Sequence, residues 1–228
     1  MGASPSFIPN EMMLEEIKNL ALVINPARLT AFYGLLQKGV MVRANVGQSI
    51  GAILCQDFGL KSSYIQERIS TIFLNGKPVD DIESAVLKGG DVLALSGAMP
   101  GLVGATLRCG GAYRSMRAAI TYREEGMPCG CEPGFFRLKL FNILIQEFGP
   151  PLLERGIVIN ADELADFFAR QPDVFWRDCQ SMVLNGAPLD PVSVCTYGLP
   201  DRDGHFLLTV TAAGGTAHPA SGDTEGYS

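Results

Sequence analysis

Two stretches of this chain recur in the same order at nearly the same spacing, and that limits its fold more than any other feature. Arg28-Leu-Thr-Ala-Phe-Tyr-Gly-Leu-Leu-Gln37 aligns without a gap on Arg137-Leu-Lys-Leu-Phe-Asn-Ile-Leu-Ile-Gln146, with Arg, Leu, Phe, Leu and Gln coincident. Thr71-Ile-Phe-Leu-Asn-Gly-Lys-Pro-Val-Asp80 aligns on Ser181-Met-Val-Leu-Asn-Gly-Ala-Pro-Leu-Asp190. The copies lie 109 residues apart, counted from Arg28 to Arg137, and 110 apart, counted from Thr71 to Ser181. A duplicated unit of modest size follows from this spacing, not one large domain.

Between the matched stretches each copy carries the pattern of a capped amphipathic helix. Asn45-Val-Gly-Gln48 precedes Ile50, Ile53, Leu54 and Phe58, and Asn160-Ala-Asp-Glu163 precedes Leu164, Phe167 and Phe168. Asn at a cap with Gln or Glu three residues on satisfies the orphan amide donors of a first turn. Gly59 and Pro172 supply the stops. A first strand is expected at 29–36 and 138–145, and a second at 40–44 and 156–159. A third strand runs into Asn75-Gly76 or Asn185-Gly186, a pair suited to a type I′ hairpin because both residues tolerate positive φ. Closing strands are expected at 91–95 and 206–210. The order ββαββ places one helix on one face of a mixed sheet, an α+β architecture. The chain thus reads as a helical extension (1–26), a first unit (27–104), a connector (105–134), a second unit (135–215) and a small, polar tail (216–228).

The run Phe73-Leu-Asn-Gly-Lys-Pro-Val79, followed by Leu87-Lys-Gly-Gly-Asp-Val-Leu-Ala-Leu95, resembles the C-terminal half of the β-grasp (ubiquitin-like) sulfur carriers of molybdopterin and thiamine biosynthesis. The resemblance implies two tandem β-grasp units. It also implies a chemistry: such carriers are adenylated and then thiolated at a free terminal glycine. The first copy departs from that pattern, because Gly97-Ala-Met-Pro-Gly101 runs on into the chain. The second ends in Gly214-Gly215 but is followed by Thr216–Ser228, so a carrier terminus requires removal of that tail.

Charge narrows the partners. A net charge of −6 and a pI near 5.0 argue against nucleic acid as the main ligand, which demands a basic face. Arg108, Arg114, Arg117 and Arg123 cluster locally and read as a solvated connector. No apolar run reaches the roughly 18 residues needed to cross a bilayer, and the N-terminal residues lack a basic start followed by an apolar core. A cytoplasmic protein without membrane contact is the expectation, in which the six cysteines stay reduced.

Candidate chemistry is sparse. Cys109, Cys129 and Cys131 form a thiol group on the connector with a conceivable metal or redox role, but the spacing is not Cys-x-x-Cys and no histidine lies nearby, so free thiols are the plainer reading. Cys55 reads as a core or boundary residue, and Cys179 and Cys195 belong to no motif. His205 reads as a turn residue, His218 falls in the tail, and Trp176 reads as packing. Asp80-Asp81 and Asp190 follow the two hairpins at matching places and read as structural. No phosphate-binding loop or dinucleotide fingerprint is present. The expectation is a non-enzymatic module that binds a protein partner and needs no cofactor.

Overall fold

The computed structural model of the chain describes residues 17–98, 122, 130–200 and 203–214. Its strands are β1 (Ile17–Ile24), β2 (Val40–Val46), β3 (Thr71–Leu74), β4 (Lys77–Pro78), β5 (Val92–Ser96), β6 (Glu132–Phe141), β7 (Ile157–Asn160), β8 (Cys179–Leu184), β9 (Ala187–Leu189) and β10 (His205–Ala212). Short helices connect them: α1 (Tyr33–Lys38), α2 (Ile50–Ala52, continuing as a π-turn over Ile53–Asp57), α3 (Ser62–Arg68), α4 (Ile143–Glu147), α5 (Gly149–Arg155), α6 (Ala161–Ala169), α7 (Asp173–Arg177) and α8 (Pro191–Tyr197). The fold is α+β, as expected from the alternation of elements.

All ten described strands join one mixed sheet in the order β4-β3-β5-β6-β2-β7-β10-β1-β8-β9. It consists of two five-stranded halves. The halves meet at β2 and β7 through a single antiparallel pair, Met41 opposite Val158. Each half has a parallel pair at its centre, β5 with β6 in one and β1 with β10 in the other. Each half also borrows a strand from far away in sequence. β6 lies between β5 and β2, and β1 lies between β10 and β8.

The Asn-Gly hairpins show how the halves correspond. Asn75 and Gly76 have φ of 50° and 78°, and Asn185 and Gly186 have 49° and 82°, the double positive φ of a type I′ turn. Each asparagine also locks its hairpin to the next strand. Asn75 Oδ1 accepts from the Val92 N–H of β5, and Asn185 Oδ1 accepts from the Asn19 N–H of β1. In the first half the strand beside the hairpin is therefore the one that follows it in sequence. In the second half that place is taken by β1, and β10 pairs instead with β7.

Several sequence-based expectations are corrected. The N-terminal stretch is not a helical extension where it is described, because Ile17–Ile24 is a strand whose Leu20, Leu22 and Ile24 are buried at a period of two. The strand expected at 29–36 is a 3-10 turn (Pro26–Phe32) leading into α1. Pro26 opens it, Asn25 Oδ1 caps it by accepting from the Ala27 N–H, and the buried Phe32, Leu35 and Leu36 have helical spacing. The strand expected at 138–145 begins earlier, at Glu132, inside the stretch assigned to the connector. It ends at Phe141, because Asn142 turns at φ 57°. Asn45 does not cap α2; it belongs to β2, and Ser49 Oγ accepts from the Ala52 N–H instead. Asn160 does cap α6, accepting from the Asp162 N–H. That helix stops at Ala169, and Pro172 stands immediately before the next one.

Every described helix places its buried apolar side chains in one layer with the inward side chains of the sheet. An aromatic group anchors that layer where the segment after β1 meets α6 and α7. The Phe32 and Phe167 rings lie 4.8 Å apart, and Phe175 and Trp176 lie 5.3 Å apart. Truncating a ring such as Phe32, which is fully buried, is expected to cost about 3–5 kcal/mol.

Candidate interaction surface

Because side chains alternate across a strand, the register assigns every strand residue to one of two faces. Leu93, Leu95, Leu138, Leu140, Val40 and Val42 point into the helical layer. Their neighbours in sequence point to the opposite face, and among the described residues no helix contributes to the small apolar cluster found there. Buried Phe135 and Val158 form that cluster, with Ile17, Met41 and Leu207 packed around them. It spans the junction of the two halves, since Met41 is paired with Val158, and Val158 with Leu207.

The charge on this face is one-sided. Its described strand positions include Arg43, Arg137 and Lys139 and hold neither Asp nor Glu, although the chain has 24 acidic residues against 18 lysines and arginines. Gly39 keeps the base of this patch narrow. It sits at φ 108°, and a Cβ there would come within 2.8 Å of the Lys139 stem. Its carbonyl accepts from Arg137 Nη1, which ties the guanidinium to the entry of β2.

Two hollows adjoin the sheet, one on this face and one in the gap between the two halves. An apolar cleft of about 250 Å³ is lined by Phe73, Ala94, Ser96, Phe141 and Asn142 at the free end of β3, β5 and β6. Asn142 Nδ2 donates to Ser96 Oγ, which donates to the Gly97 carbonyl. Opposite Ser96, the buried Thr71 hydroxyl has no hydrogen-bond partner. The second hollow, about 340 Å³, lies where β2 and β7 diverge, between Arg43, Asn45, Asp57, Pro133 and Arg155. Here Asp57 accepts from the Asn45 side chain and from Gln48, while Arg155 donates to the Arg43 carbonyl and stacks over the Phe58 ring at 4.5 Å. Burial lowers the Arg155 pKa and the charge of Asp57 opposes that shift. This is a braced junction.

The residues singled out from sequence disperse. Cys131 is exposed just before β6, while Cys109 and Cys129 lie outside the described residues, as do Arg108, Arg114, Arg117, Arg123 and His218. Among the described residues no group of three or more Cys, His, Asp or Glu could hold a metal ion. Cys179 is buried and its pKa is pushed up to about 11 by desolvation; Cys195 is exposed, and Cys55 lies 3.8 Å from Ser62 Oγ. His205 opens β10 opposite Asn160, and burial lowers its pKa. Trp176 packs in the aromatic group. Asp190 caps α8 by accepting from the Val192 and Ser193 N–H groups, and hydrogen bonds, chiefly from the Ser193 side chain, lower its pKa. Asp81 accepts from the Glu83 N–H. Gly214 ends an exposed turn after β10 at φ 85°; Gly215 and the tail lie outside the described residues.

The one-sided face was missed in the sequence, although Phe135, Arg137, Lys139 and Phe141 stand at every second position. That alternation becomes a signal only once β6 is known to be a strand with its other side buried. No helix among the described residues is long and apolar enough to cross a membrane. No family model matches the chain, and neither a curated protein nor a solved structure matches it.

Proposed function

We propose that this chain is a non-enzymatic protein-interaction module: a duplicated β-grasp unit whose copies have exchanged strands, docking a protein partner on the sheet face opposite the described helices. The observation that carries the reading is the second apolar cluster, Phe135 and Val158 with Met41, Leu207 and Ile17, rimmed by cations on a face to which no described helix contributes. An apolar centre with a polar rim is the anatomy of an interface. Duplication is supported by backbone geometry as well as by sequence. Gly39 and Gly156 have φ of 108° and 106° at the entry to β2 and β7, and Gly90 and Gly204 have 83° and 76° before β5 and β10.

The test is site-specific photo-crosslinking in the native cell. A photoreactive residue at Ala21 or Arg43, both exposed on the face opposite the described helices, is expected to yield a discrete protein adduct. The same residue at Asp166, exposed on α6, is expected to yield none. Equal yields at all three positions, or none at any of them, would contradict the proposal.

A further inference from the structure

On the open side of β6 the residues run Phe135, Arg137, Lys139, Phe141: apolar, basic, basic, apolar. Each end belongs to a different feature. Phe135 is the centre of the cluster at the junction of the halves, and Phe141 is a wall of the cleft that Phe73 and Ala94 complete. Between them the cations are flanked by further strands. Lys139 stands opposite Ala94 of the cleft, and Arg43 of β2 stands opposite Phe135. Six residues of strand separate the two apolar ends by about 20 Å, the length of about 13 residues of α-helix.

We infer that this track is the seat of an acidic amphipathic helix from a protein partner, with apolar side chains at its two ends and carboxylates between them. The inference rests on the interaction reading above and names the chemistry of the partner. The apolar ends fill the Phe73–Phe141 cleft and pack on the partly exposed Met41 and Leu207 over buried Phe135 and Val158, and the carboxylates face Arg137 and Lys139, with Arg43 at the rim. Charge complementarity selects this occupant. A second copy docked face to face would set these cations against each other, and like charges opposed across an interface cost several kcal/mol. The helical layer already on the other side shows that the sheet accepts helices, and an added helix would complete a three-layer sandwich.

The test uses the full chain and three labelled helical peptides of about 16 residues, each with leucines at both ends. They carry Glu, Gln or Lys between the leucines. Binding is read by fluorescence anisotropy at low and at high salt. The Glu peptide is expected to bind about ten-fold more tightly than the Gln peptide and to lose that advantage in high salt. In Arg43→Glu/Lys139→Glu the preference is expected to reverse in favour of the Lys peptide, a result that misfolding would not produce. Indifference to peptide charge, or a double variant that keeps the Glu preference, would overturn the inference. So would displacement of the Glu peptide by a single-stranded oligonucleotide or by anionic vesicles, or loss of its binding as the chain dimerises at higher concentration. Crosslinks at Ala21 combined with no charge preference would remove the acidic helix and leave the interaction reading. Loss of both results would remove both.

Discussion

Thr71 carries a fully buried hydroxyl with no hydrogen-bond partner, a group that costs about 1–3 kcal/mol to leave unsatisfied. Replacing it with a residue of the same shape that lacks the hydroxyl should recover part of that cost. Thr71→Val is expected to stabilise the protein by about 1 kcal/mol, read as a rise of some 2–4 °C in Tm; an unchanged or lower Tm would show that the hydroxyl is satisfied. His205 makes the opposite kind of prediction. Burial holds its imidazole pKa below the ordinary value of 6.5, so the folded chain favours the neutral ring. Below pH 6.5 the unfolded chain takes up a proton that the folded chain resists, and stability falls as pH drops through the folded pKa. Thermal melts taken from neutral pH downward should show a shallower loss below pH 6.5 in His205→Asn than in the parent protein, whose unfolded ring takes up a proton that the folded ring resists. Parallel curves would remove His205 from the account.

At the scale of elements, what could be read from sequence was local and what could not be read was long-range. The hairpins at Asn75-Gly76 and Asn185-Gly186, the Asn160 cap and the strands before and after them follow from chemistry within a few residues. The segment 26–38 misled because Phe32, Leu35 and Leu36 are apolar residues in a short run, which suits a strand as well as a helix until Pro26 and the Asn25 cap decide it. β1 was missed because nothing near it in sequence pairs with it; its partners begin at Cys179 and His205. Neither the face presented by β6 nor the exchange of strands is legible without those pairings. β1 is central to its half, so its packing should matter far beyond its own length. Leu22 is buried between β10 and β8, and Leu22→Ala is expected to cost about 2–5 kcal/mol in chemical denaturation. A cost below 1 kcal/mol would place β1 outside the core.

At the scale of the whole molecule, the repeat in sequence does not divide the structure where it divides the chain. The expected units 27–104 and 135–215 each omit a strand that their half of the sheet needs. The first lacks β6, which separates β5 from β2, and the second lacks β1, which separates β10 from β8. The open face is continuous only because both strands are present, and its cluster draws on Ile17, Met41, Phe135, Val158 and Leu207 from β1, β2, β6, β7 and β10. Interaction through that face is therefore a property of the intact chain. Expressing 27–104 and 135–215 separately tests this most directly. Each fragment is predicted to lack dispersed amide resonances and a cooperative unfolding transition, while the full chain shows both. A fragment that folds alone, with a cooperative transition of its own, would contradict the exchanged sheet and the continuous face built on it.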